Sequence, residues 1–80
     1  MNKTISHELK IDAQHLYDIH TGDKTFEIRI NDRDFQLYQY IRLKQIIGGD
    51  FTGKSLIVKI VYISDYMQRE GYVVLGIKIE

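Results

Sequence analysis

Two stretches toward the carboxyl end, LIVKIVYI (Leu56–Ile63) and YVVLGIKI (Tyr72–Ile79), are dense in β-branched and aromatic residues. Such side chains lose rotamer freedom in a helix and pack well on a pleated surface, so both stretches read as strands. Between them Asp65–Gly71 is polar and reads as a loop. A short chain committed to strands has to protect its sheet edges, and curling or closing the sheet is one way to do so.

The rest of the chain fits that class. His7–Ile11 reads HELKI, a short alternating strand with His7, Leu9 and Ile11 on one face. Asp12 can cap a helix with its carboxylate. Leu16 and Ile19, with Ala13 or His20 beside them, give residues 12–21 an apolar side, and Gly22 fits just past the end. Thr25–Ile30 alternates, with Phe26, Ile28 and Ile30 on the expected core face and Thr25, Glu27 and Arg29 on the other. Residues 31–34, NDRD, are turn chemistry. Tyr40–Ile47 is a strand with Ile41, Leu43 and Ile47 on one side. The expected order is β-α-β-β-β-β: a mostly β (α+β) domain, residues 1–80, built as a small barrel of about five strands with one main helix near the amino terminus.

Eighty residues bury only about 60–65% of their unfolded surface, which leaves one small core. The chain has no cysteine, which excludes disulfides and thiolate metal sites. MNKTISHELK is polar and unlike a signal peptide, and no apolar run is long enough to span a bilayer, so a cytoplasmic protein without a membrane partner is expected. Eleven basic residues balance eleven acidic ones. Nucleic-acid binding, if present, must therefore come from a local basic patch rather than a global field.

GGDFTGKS, residues 48–55, fits the phosphate-loop pattern G-x-x-x-x-G-K-[ST] letter for letter. That motif needs a helix after the Ser, whose amino terminus helps cradle the phosphates. Here LIVKIVYI follows, and it favours a strand. GGDFTG therefore reads as a glycine-rich hairpin loop, and neither ATP nor GTP binding is expected.

The chemically richest stretch is GDKTFEIRINDRD, residues 22–34. Lys24 lies between the helix end and the strand, Glu27 and Arg29 share a strand face, and Arg33 and Asp34 lie in the following turn. Lysine and arginine can hold a phosphate or carbonyl oxygen, arginine bidentately. Glutamate can accept from a base amide or act as a general base. The plainer alternative is a solvated strand face whose ion pairs contribute little.

GDKTFEIR resembles the G-x-K-x-x-E-x-R signature of ASCH domains (activating signal cointegrator homology), in the PUA-like barrel superfamily. It is most similar to a bacterial and phage subgroup with RNA-binding-like character. That subgroup's H-x-L-K opening is matched by His7, Leu9 and Lys10, and its K-T-F-E-I-R-x-N-D-R-D-F run by Lys24 through Phe35. A Y/F-T-G-R/K segment is matched by Phe51 to Lys54, and a G-Y-V-V strand by Gly71 to Val74. The chain departs where the subgroup has a V-G-D turn, carrying Leu37, Tyr38 and Gln39 instead. The resemblance implies a PUA-like barrel whose G-x-K-x-x-E-x-R segment lines a cleft between helix and sheet and binds RNA or a nucleotide-like molecule. Lys24, Glu27 and Arg29 would contact the ligand, with Arg33, Lys54 and His7 at the rim. Some small ASCH proteins hydrolyse acetylated cytidine, using a lysine that Lys24 matches. The alternative is thus an amidohydrolase acting on a modified nucleoside through Lys24 and Glu27. A regulatory protein-interaction module is a further alternative.

His15 and His20 read as ordinary helix residues, and the three histidines do not suggest a metal site. No cofactor is implied. Ser55 and Ser64 lack a visible histidine–acid arrangement for nucleophilic catalysis. Among the tyrosines, Tyr66 and Tyr72 flank the last loop and are the candidates for stacking on bases.

Overall fold

The computed structural model describes residues 3–80. The chain runs β1 (Ile5–Asp12), α1 (Ala13–His20), β2 (Phe26–Ile30), β3 (Tyr40–Ile47), β4 (Asp50–Ser64) and β5 (Tyr72–Ile79). The five strands form one sheet in the order β1-β3-β4-β5-β2. β1 pairs parallel with β3, and every other pairing is antiparallel. The sheet curls into a half-barrel with one short helix, the mostly β architecture expected from the sequence. Leu9, Ile11, Ile41, Leu43, Val58, Ile60, Val73, Leu75 and Ile77 meet inside it, joined by Leu16 and Ile19 of α1 and by Phe35.

β1 and β2 are the two edge strands, and they are consecutive in the chain. α1 and the turn after it carry the backbone from one edge to the other. The barrel therefore has a seam between β1 and β2, with the helix across one end. Within the seam, Arg29 Nη2 on β2 donates to the Lys10 carbonyl oxygen on β1 at 2.7 Å. A side chain thus spans part of the gap that a further row of backbone bonds would fill in a closed barrel.

The helix ends as its sequence suggests. Gly22, at φ 89°, follows the last turn and its N–H donates to the Ile19 carbonyl, satisfying an otherwise orphaned acceptor. The amino-terminal end corrects the expectation: Asp12 occupies the capping position, but its carboxylate makes no capping hydrogen bond.

The β3–β4 hairpin is tighter than expected. Only Gly48 and Gly49 form the turn, at φ 59° and 86°, the paired positive values of a type I′ connection that matches strand twist. Asp50 already begins the fifteen-residue β4. Thr52, Gly53 and Lys54 bulge opposite Gln45, and Thr52 Oγ1 donates to Gln45 Oε1 at 2.7 Å. Ser55 continues into strand, so the strand–loop–helix unit of a phosphate loop is not formed. Ile47, expected beside Ile41 and Leu43, is exposed because this end of the hairpin runs past the core.

The Leu37–Tyr38–Gln39 turn docks on β4. Tyr38 N–H donates to the Ile60 carbonyl at 2.7 Å, and Ile60 N–H donates to the Gln39 carbonyl at 2.9 Å. Tyr38 adopts φ 70° where the resembled pattern carries glycine. Gln39 Oε1 accepts from Gln36 N–H at 3.0 Å and from His7 Nε2 at 2.9 Å.

The largest correction concerns β2. Phe26, Ile28 and Ile30 were the expected core face, yet they are 43%, 50% and 53% exposed, while Glu27 is only 6% exposed. The register explains the inversion. Glu27 pairs with Leu75 and Arg29 with Val73, and cross-strand partners share a face. Val73, Leu75 and Ile77 fill the core, so the polar residues of β2 turn inward beside them.

Candidate functional site

Turning Glu27 inward requires compensation, because an unpaired buried carboxylate is costly. It receives two partners. Lys24 Nζ lies 2.8 Å from Oε1 and Arg29 Nε 3.0 Å from Oε2. Lys24 is placed by the helix end, where its N–H donates to the Asp18 carbonyl at 3.0 Å. Its ammonium also donates to Nδ1 of His15, one face of α1 away, at 2.9 Å. Arg29 is fixed by Glu27 and by the Lys10 carbonyl across the seam. The result is a half-buried Lys24–Glu27–Arg29 cluster of net charge +1, anchored to α1 and to both sheet edges.

This cluster lines a cleft of about 400 Å³ at the helix end of the seam. Lys10, Asp12 and His15 contribute from one side, Phe26 and Ile28 from the other. The exposed apolar residues of β2 thus border the charged cluster. A larger groove of about 690 Å³ continues along the seam and shares Lys10, Ile28 and Arg29 with the cleft. It adds Lys44, Phe51, Arg33 and Tyr72.

The sequence candidates are distributed unequally. Lys24, Glu27 and Arg29 come together, though as a partly buried ion-pair cluster rather than the exposed strand charges expected. Arg33 lines the adjoining groove, with Nε 4.0 Å from Asp32 Oδ1. Lys54 lines a different depression with Leu16, Tyr17 and His20, which shares no residue with the cleft. His7 lines neither space: it bonds Gln39 and meets the Phe35 ring edge-on, with centroids 4.9 Å apart. Of the two stacking candidates, Tyr72 lines the groove, while Tyr66 lies on the exposed last loop.

His15 is more than an ordinary helix residue, since it holds Lys24. Lys10, Asp12, Lys44 and Phe51 also belong to these spaces and carry no local signal of it. Lys10 and Phe51 do lie in stretches singled out by resemblance, the H-x-L-K opening and the Y/F-T-G-R/K segment. The described residues contain no cluster of histidine and carboxylate able to hold a metal ion, and no helix long and apolar enough to cross a membrane.

Among curated proteins, none matches this chain. A family model described as a domain of unknown function (DUF3850) matches residues 6–77, and the chain belongs to that family.

Proposed function

We propose that the seam cleft binds RNA or a nucleotide-like molecule in the cytoplasm, as the resemblance to ASCH domains of the PUA-like superfamily implies. One observation carries the reading: a buried carboxylate holds two cations beside an exposed apolar wall. An ammonium has three N–H donors and a guanidinium five. Lys24 spends donors on Glu27 and His15, and Arg29 spends two on Glu27 and the Lys10 carbonyl. Each keeps at least one for a phosphate or carbonyl oxygen. Phe26 and Ile28 offer apolar surface to a base.

The same geometry favours binding over hydrolysis of a modified nucleoside. A hydrolase needs a group free to take a proton from water. Glu27 is ion-paired to a cation at each oxygen, and Lys24 is held by Glu27 and His15, so neither stands as an unpaired base. Triphosphate binding at GGDFTGKS has no support either, because strand replaces the helix the motif requires. Magnesium with ATP or GTP should leave the melting temperature unchanged.

Titration of nucleoside monophosphates and short RNAs tests the proposal. Lys24→Ala and Arg29→Ala should each weaken binding by ~1–3 kcal/mol, the usual range for a charge-assisted hydrogen bond. Incubation with acetylated cytidine should give no product. Binding unchanged in both variants, with lowered melting temperatures, would make the cluster purely structural. Turnover abolished by Lys24→Ala would favour the hydrolase instead.

A further inference from the structure

We infer that Lys10, Lys44 and Phe51 form a second subsite, continuous with the cleft, that takes the nucleotides adjoining the one bound there. On this assignment the ligand is a single-stranded oligonucleotide rather than a free nucleotide. The inference rests on the cleft reading above and extends it along the seam.

Lys10 and Lys44 are direct cross-strand partners on β1 and β3. Their neighbours Leu9, Ile11 and Leu43 point into the core, so both lysines point outward. Like charges directly opposite each other destabilise a sheet. Neither lysine has a carboxylate partner among the described residues. The fold thus tolerates a repulsive pair that a bound anion would relieve.

Both ammonium groups gather around an aromatic ring. Lys44 Nζ lies 4.4 Å and Lys10 Nζ 5.8 Å from the Phe51 centroid. Phe51 is 53% exposed, which leaves part of its ring accessible to a ligand. Arg33 and Tyr72 line the same groove. Its two acids are partly engaged: Glu8 Oε2 accepts from Arg42 at 3.1 Å, and Asp32 lies 4.0 Å from Arg33. In a chain of zero net charge, Lys10, Arg29, Arg33 and Lys44 are thereby concentrated along one groove.

Cations interleaved with open aromatic rings are what single-stranded nucleic acid uses, phosphates on the cations and bases on the rings. A duplex keeps its base faces stacked and hidden from such rings. An acidic peptide without aromatic residues could satisfy the lysines but has no planar face to match Phe51 and Tyr72. Arg29 lines both spaces, so a strand with one base in the cleft leads directly into the groove.

The test compares ribonucleoside monophosphates with mixed-sequence RNAs of two, four and eight nucleotides, titrated against wild type, Lys44→Gln and Phe51→Ala. Affinity should rise with length up to about four nucleotides. Phe51→Ala should weaken the tetramer about 5- to 150-fold, the loss expected for one stacked base. Lys44→Gln should lower the slope of log affinity against log salt by about 0.7, one single-strand phosphate contact. Monophosphate binding should be unchanged in both variants, and Lys44→Gln should melt no lower than wild type. Length-independent affinity, or full tetramer affinity in both variants, overturns the groove and leaves the cleft reading intact. Equal competition by polyglutamate also overturns it, because the groove would then read charge alone. Monophosphate binding unaffected by Lys24→Ala and Arg29→Ala defeats the cleft reading, and the groove extension with it.

Discussion

β5 and β2 lie side by side and present the same face to the interior, yet they are built from opposite chemistries. β5 sends in Val73, Leu75 and Ile77, and its backbone is paired on both sides, with β4 and with β2. β2 sends in Glu27 and Arg29, and its far edge opens on the seam. The aliphatic strand needs only to be filled. The polar strand needs partners for each charge, and it recruits them from the helix, the helix–strand turn and the opposite edge. The difference separates the part of the molecule that holds the fold from the part that has donors left for a ligand.

Substitutions sharpen this contrast, beginning with the largest effect. Leu75 is fully buried, so Leu75→Ala leaves a cavity and should cost ~2–5 kcal/mol in denaturant unfolding. For so small a domain that is a large part of its total stability. An effect below ~1 kcal/mol would mean that β5 does not anchor the core.

Its cross-strand partner is the second case. Glu27→Ala leaves Lys24 and Arg29 half-buried and facing each other. Breaking a fully buried pair costs about 3–5 kcal/mol. The two cations keep some solvent contact, so ~1–3 kcal/mol is expected. High salt should recover part of the loss, a response Leu75→Ala should not show.

Phe26→Ala comes third. The outward position of Phe26 limits the loss to about 1 kcal/mol of partial burial, with a small contribution from Lys24 5.5 Å from its ring centroid. A loss of the size expected at Leu75 would place Phe26 in the core and contradict the register of β2. The smallest effect is at the Leu37–Gln39 turn. Tyr38→Gly relieves a left-handed backbone at φ 70° but frees the unfolded chain, so a change between 0 and ~1 kcal/mol, toward greater stability, is expected.

The contrast also marks how far the sequence alone could reach. β-Branched density identifies β4 and β5, and Gly22 and the Leu16–Ile19 spacing identify the helix, because each is a local signal. The facing of β2 is not local. TFEIRI alternates cleanly, and alternation alone sends its apolar set inward. What reverses it is the pairing with Val73 and Leu75, far along the chain, together with two cations able to neutralise Glu27. The same holds for the site. Lys24, Glu27 and Arg29 are legible because they share one short stretch. Lys44 and Phe51 join them only through strand pairing, and His15 only because the helix ends beside the seam. Lys54 and His7 stand in motif-like stretches, but the fold carries them to other surfaces.

The central claim is that a nucleotide-bearing ligand occupies the seam between β1 and β2. Backbone amide chemical shifts, followed by NMR during titration with a short single-stranded RNA, test it most directly. The account predicts concentration-dependent shifts concentrated at Lys10, His15, Lys24, Ile28 and Arg29, extending to Lys44 and Phe51, with β5 largely unmoved. Shifts confined to the Lys54–His20 depression, or no shifts at millimolar RNA, would contradict it.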